Sequence, residues 1–231
     1  MRKIIGLKSK TYNLKSLPIN RQVNYIIGLD EVGRGALAGP VVVAAVAIQV
    51  NFKFKILNSK LKLKDSKKLS AKQRELWFEW IKQNNIPFAI AKVSHKVIDQ
   101  INISNAANLA ATRAFIKLTK NYKLKIKSCN IFLDGGLYIK PKTKNQKSYV
   151  CRQTGKLNTK TIIRGDEKIP AISLASIVAK VARDKLMKKA HKKYPYYDFI
   201  NNVGYGAKNH IKAIKKIGHS KIHRKSFKFK K

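Results

Sequence analysis

Three observations predict an α/β fold built on a mixed sheet. Five short apolar runs, at 25–29, 41–48, 88–93, 130–133 and 161–163, have the length and composition of strands. Segments with helical spacing of apolar residues follow or separate them, at 70–83, 105–120 and 170–193. The first two runs are joined by too short a connection for a crossover helix, which makes them antiparallel neighbours. Strands that begin antiparallel and then alternate with helices give a five-stranded mixed sheet flanked by helices.

Each element has its own signal. Tyr25-Ile26-Ile27-Gly28-Leu29 reads as a buried strand, ending at Asp30-Glu31 before the turn Gly33-Arg34-Gly35. Pro40 opens the second buried strand. Ser70 and Gln73 form a capping box for the first helix, with Leu76, Trp77 and Trp80 on its inner face. The Ala-rich second helix carries Leu109, Phe115 and Leu118. Asn130-Ile131-Phe132-Leu133 is stopped by Asp134-Gly135-Gly136, and Thr161-Ile162-Ile163 by Gly165-Asp166. Pro170 suits the first turn of the long third helix, whose apolar stripe is Leu174, Ile177, Val178 and Val181. An aromatic loop at 194–206, a short helix at 210–217 and a basic tail at 221–231 complete the chain. The organisation expected is a basic arm at 1–23, an α/β domain at 24–193 and a small helical, basic C-terminal extension at 194–231.

The chain has 231 residues and is 44% hydrophobic, enough for one sizeable core. Lys and Arg number 51 against 11 Asp and Glu, a formal charge of +40. A field of that sign draws polyanions, and counterion release makes nucleic acid the natural partner. Abundant Lys, Asn and Ile also fit compositional drift, so part of the excess is a solvated surface. Two cysteines, Cys129 and Cys151, can build neither a disulfide framework nor a four-thiolate zinc site. The N-terminus has no signal-peptide apolar stretch, and no segment offers about 20 uninterrupted apolar residues. A soluble, cytoplasmic monomer is expected.

Because acids are scarce, their positions carry information. Asp30 with Glu31, Asp134 and Asp166 each follow an apolar strand and lie near a glycine. Hard oxygen ligands held on rigid elements and gathered from distant parts of the chain are what Mg²⁺ or Mn²⁺ requires. Two such ions about 3.5–4 Å apart can activate water and stabilise a leaving oxygen in phosphodiester hydrolysis. The plainer alternative is that Asp and Gly merely punctuate turns. Asp65, Glu75, Glu79 and Glu167 are weaker candidates. Asp184 lies 14 residues after Pro170 in one helix, roughly 20 Å from its start. It cannot share a metal pair with Asp166, and an ion pair with Lys188 is its plainer role.

These same residues carry a family likeness. Gly28-Leu29-Asp30-Glu31-Val32-Gly33-Arg34-Gly35, with Leu37-Ala38-Gly39-Pro40-Val41-Val42, resembles the signature block of ribonuclease HII. Asp65-Ser66-Lys67-Lys68-Leu69, Asp134-Gly135, and Gly165-Asp166 with the segment 173–184 resemble its later blocks. Tyr194-Pro195, Gly204-Tyr205-Gly206 and Ile222-His223-Arg224-Lys225-Ser226-Phe227 resemble its C-terminal ones. Ala36, Leu29 and Leu174 depart from the usual residues, but all are apolar or small. The short stretch before Tyr25 leaves no room for the extra domain of ribonuclease HIII.

The resemblance implies a ribonuclease H-like fold and a metal-dependent endoribonuclease. Its substrates would be RNA–DNA hybrids and duplex DNA with embedded ribonucleotides, cut 5′ of the ribonucleotide to leave 5′-phosphate and 3′-hydroxyl ends. It implies Asp30, Glu31, Asp134 and Asp166 as catalytic ligands of two divalent ions, Mg²⁺ or Mn²⁺. The backbone of Gly33, Arg34 and Gly35 would meet the 2′-hydroxyl, with Tyr205 stacked on the neighbouring sugar. Ser66, Lys67, Lys180 and Arg183 are the candidate phosphate contacts, with Lys68 a further one. His223 fits core packing or a phosphate contact better than metal ligation. Two rival readings stay open: a non-enzymatic basic nucleic-acid binder, and another nuclease on the same fold acting on DNA alone.

Overall fold

A computed structural model describes residues 24–50, 63, 68–139, 157 and 159–228. Ser66, Lys67, Asp65, Cys151, the arm at 1–23 and most of the basic segment at 140–160 lie outside the described residues. The strands are β1 (Tyr25–Val32), β2 (Val41–Gln49), β3 (Phe88–Val93), β4 (Cys129–Asp134) and β5 (Thr159–Ile162). The helices are α1 (Ala71–Gln83), α2 (His95–Asn121), α3 (Gly165–Lys168), α4 (Pro170–Lys193), α5 (Phe199–Asn202) and α6 (Lys208–Ile217). One five-stranded sheet runs β3-β2-β1-β4-β5. β1–β2 and β2–β3 are antiparallel, whereas β1–β4 and β4–β5 are parallel. The mixed sheet expected from the sequence is therefore present, with β4 brought parallel to β1 by the crossover through α2.

The period-two alternation of the strands divides the core between the two faces. Ile27, Leu29, Val43, Ala45, Ile131 and Leu133 pack on one side under α2. There Ala106, Ala107, Ala110, Ala111 and Ala114 let the helix lie close to the sheet. Ile26, Ala44, Val46, Ile48 and Phe132 pack on the other, against α1 and α4. At Gly28 a Cβ would collide with the Ala171 and Ile172 backbone, so the glycine is what lets the start of α4 rest directly on β1. That contact aims the first turns of α4 at the end of β1, where the acids are.

Several boundaries differ from the sequence reading. The Ser70 capping box is present, with Gln73 N–H donating to Ser70 Oγ and Ser70 N–H to Gln73 Oε1. α2 starts ten residues earlier than expected, at His95 rather than 105, but it is two helical pieces joined at Asn102 (φ 63°, ψ 167°). Asn102 Oδ1 accepts the Asn105 N–H at 3.0 Å, capping the second piece. The expected helix start therefore marked this inner cap, and only the preceding piece was missed. β5 ends at Ile162, and Asp166 stands in the short helix α3 rather than at a strand end.

After α4 the chain returns to the end of the sheet where β1 and β2 connect. Tyr197, Phe199 and Ile214 form a small core with Met187 of α4 and with Leu37 and Ala38 of the β1–β2 connection. Leu37 and Ala38 donate their N–H groups to Gly204 O, and Gly39 donates to Ile222 O. The C-terminal segment is thereby tied to the connection that carries the Gly33-Arg34-Gly35 turn.

Candidate active site

Register brings the first two acids together. Leu29 of β1 lies opposite Leu133 of the parallel strand β4, so the next residues, Asp30 and Asp134, are neighbours. Each is two residues beyond a position on the α4 face, Gly28 and Phe132, so both carboxylates belong to that face. Asp166 enters from α3, where the Gly165 N–H donates to Asp134 Oδ1 at 2.7 Å. Asp30 and Asp166 are both buried, at 5% exposure. Burial first and the Asp134 charge second hold the Asp30 carboxyl well above the usual carboxylate range. Glu31 and Asp166 add to the effect, and a hydrogen bond with the Ser176 side chain of α4 opposes it.

A cluster of anions at the edge of an apolar core is unfavourable unless cations balance it. Some balance is internal. Glu31 Oε1 pairs with Arg34 Nε at 3.2 Å, and the Glu31 N–H donates to Asp30 Oδ1 at 2.7 Å. With these contacts in place, no three acidic, histidine or cysteine side chains among the described residues close on a single point. The chemistry of the donors still fits a hard divalent cation: all four are carboxylates, and the buried Asp30 is destabilised as an anion by its acidic neighbours. Among the described residues, the weaker acidic candidates are paired elsewhere. Asp184 pairs with Lys180 at 2.7 Å and Arg74 at 3.8 Å, which corrects the expected Lys188 partner. Glu75 pairs with Lys185, Glu79 with Lys82, and Glu167 with Lys68.

The turn after β1 is held from inside. Arg224 donates from Nε to Gly39 O (3.0 Å), from Nη1 to Arg34 O (2.8 Å) and from Nη2 to Gly33 O (2.6 Å). Arg183 donates from Nε to Pro40 O (3.2 Å), from Nη1 to Val203 O (2.7 Å) and from Nη2 to Ala38 O (3.2 Å). Arg183 is wholly buried, so the expectation that it meets a phosphate is corrected: its donors satisfy the Ala38 and Pro40 carbonyls of the β1–β2 connection and the Val203 carbonyl after α5. Lys180 is half-buried in its ion pair with Asp184. The two glycines of the turn also separate in role. At Gly33 (φ +88°) a Cβ would strike the Arg183 guanidinium, whereas at Gly35 it would meet nothing within 4 Å. Gly33 thus serves the interior, and only Gly35 leaves an open face. Tyr205 is 36% exposed, with its ring 5.3 Å from the Arg183 guanidinium.

Sequence reasoning missed Ser176 and the bracing role of Arg183 and Arg224. Nothing local distinguishes two buried arginines within a set of 51 basic residues. His223 is in the core, 2% exposed and bonded to His210, in agreement with the packing alternative.

The family model for ribonuclease HII matches residues 27–230. The chain belongs to the ribonuclease HII family. It is 44% identical over 203 residues to ribonuclease HII of Clostridium beijerinckii, covering 88% of this chain and 67% of that one. It is 43% identical over 202 residues to the Pelagibacter ubique ribonuclease HII, covering 87% and 95%. Among solved structures it is similar to ribonuclease HII in the PCNA:RNase HII complex from Archaeoglobus fulgidus. That likeness has a TM-score of 0.65 at 24% identity and covers 89% of this chain and 96% of that one, which establishes the shared fold. Membership of the ribonuclease HII family makes the chain a type 2 ribonuclease H, an endoribonuclease that hydrolyses nucleic acid with divalent metal. Among the described residues no helix is long and apolar enough to cross a membrane.

Proposed function

We propose that this ribonuclease cuts the RNA strand of RNA–DNA hybrids and the 5′ side of ribonucleotides embedded in duplex DNA, leaving 5′-phosphate and 3′-hydroxyl ends. The observation that carries this reading is the register of β1 and β4, which puts Asp30 beside Asp134 with Asp166 bonded in through Gly165. Asp30, Glu31, Asp134 and Asp166 would hold two divalent ions, Mg²⁺ or Mn²⁺. Bound there, such ions lower the pKa of water and neutralise charge on phosphate oxygens. The chain's own part is to aim the carboxylates: Ser176 hydrogen-bonds with Asp30, and the Gly165 N–H donates to Asp134. Glu31, paired with Arg34 here, would help hold the ions.

Recognition of ribose is assigned to the turn and to Tyr205. A 2′-hydroxyl both donates and accepts, so backbone groups of Gly33, Arg34 and Gly35 can distinguish it from deoxyribose. The open face at Gly35 supports this, since no side chain stands between backbone and sugar. Tyr205 would stack on the neighbouring sugar. Ser66, Lys67 and Lys180 are assigned to phosphates, Lys180 after leaving Asp184. The protein is read as a cytoplasmic monomer with 24–193 as the catalytic domain and 194–231 contributing to substrate binding. The test is cleavage of a DNA duplex containing one ribonucleotide, with EDTA, Mg²⁺ or Mn²⁺. Metal-dependent scission 5′ of the ribonucleotide is expected. Scission of an all-DNA duplex at the same rate would overturn the reading.

A further inference from the structure

The β1–β2 connection has almost no ladder to satisfy its backbone, yet its carbonyls are buried beside the site. Donors for them come from far along the chain. Arg224 serves Gly33, Arg34 and Gly39, and the Arg224 N–H donates to Leu37 O at 2.8 Å. The preceding residue, His223, forms an isolated antiparallel bridge with Ala38.

The His223 side chain starts a second line of contacts, and its direction can be worked out. His210 Nδ1 lies 2.7 Å from the Tyr205 carbonyl, an acceptor only, so Nδ1 carries the hydrogen. In the neutral ring His210 Nε2 is then an acceptor, and His223 Nε2, 2.9 Å away, donates to it. His223 Nδ1 in turn accepts the Ser220 N–H at 2.9 Å. Ser220 Oγ also lies 2.8 Å from His223 Nδ1, so the chain runs Ser220 to His223 to His210 to Tyr205 O with every ring nitrogen partnered. Neither ring has a spare position for metal or phosphate.

We propose that the His223-Arg224 dipeptide is the positioning element of the ribose-reading site, with Arg224 setting the Gly33-Arg34-Gly35 turn and His223, through His210, setting Tyr205. His223 closes the turn from Ser220 and Arg224 opens the turn to Phe227, so one short stretch of backbone, pinned by the Ala38 bridge, fixes both contacts relative to each other. Neither residue acts on the substrate; each holds a group that does. The inference rests on the assignment of ribose recognition to the turn and Tyr205.

The experiment compares affinity for a duplex with one ribonucleotide against the same all-DNA duplex, measured by fluorescence anisotropy in EDTA so that the strand stays intact. Poor folding lowers the active fraction and shifts both titrations together, leaving the affinity ratio unchanged. Loss of positioning lowers the ratio itself. Arg224→Lys retains the charge but not the three-point fork, and should reduce the ratio by about tenfold. His210→Gln should also reduce it, and Mn²⁺ titration of both variants should match the wild type. If Arg224→Lys does not fold, Phe227→Leu takes its place. The Phe227 ring lies 4.9 Å from the Arg224 guanidinium, and its loss loosens that group without removing a donor. Gly35→Val and Tyr205→Ala report on the underlying assignment. If those two collapse the ratio while the Arg224 and His210 variants leave it intact, the positioning role is overturned. An intact ratio in all of them overturns the assignment and the inference together.

Discussion

Asp30 shows most directly how one residue joins stability to function. Its carboxylate is buried at the end of β1 and repelled by Asp134, Glu31 and Asp166. Those repulsions are what a divalent cation would relieve, so the features that destabilise the metal-free site favour metal binding. Asp30→Asn should abolish cleavage and at the same time raise the melting temperature in EDTA. Removing one buried anion worth about 1 kcal/mol corresponds to roughly 2–4 °C in a chain of this size. Calorimetric melting with and without Mn²⁺, beside a cleavage assay, checks both halves. Near-wild-type turnover would exclude Asp30 from the site.

At the level of elements, the contact between β1 and α4 controls the active-site geometry. Gly28 admits the Ala171–Ile172 backbone, and a methyl group there would have to displace a helix rather than a flexible side chain. Gly28→Ala is expected to cost about 2–3 kcal/mol, read as a lower denaturation midpoint with unchanged slope. It should also lower activity, because α4 carries Ser176 to Asp30.

The C-terminal segment makes a second prediction at this scale. Burial, then His210 and His219, push the His223 imidazole down to about 4 from its ordinary 6.5. His210 is lowered as well, mainly by burial. A depressed histidine is neutral in the folded state and takes up protons more readily once unfolded. Stability should therefore fall as pH drops from about 6.5 toward 4. Denaturant titrations across that window should show the loss, and His223→Gln should flatten it.

For the whole molecule, the dominant quantity is the charge of +40. If the basic residues form a binding face, affinity for a duplex should fall steeply with salt. Six to ten phosphate contacts predict a loss of about 10³–10⁵-fold between 50 and 200 mM. Anisotropy titrations at several salt concentrations measure the slope. A flat dependence would mean that the basic excess is a solvated surface unrelated to substrate.

The sequence by itself determined the elements and the acids. Strand runs, the Ser70 capping box and Pro170 are local signals, set by sterics and hydrogen bonds within a few residues of each other. Scarce carboxylates beside glycines stood out for the same reason, and the spacing of Asp184 along its helix already separated it from Asp166. Only the tertiary structure decided how these parts meet. It moved Asp166 from a strand end into α3 and revealed the piece of α2 before Asn102. It also turned Arg183 from an expected phosphate contact into a buried brace, with Arg224 beside it. Arg224 and the Arg34 carbonyl it satisfies are 190 residues apart. A buried carbonyl must find a donor, but which distant side chain supplies it depends on the packed fold, and local spacing carries no record of that choice.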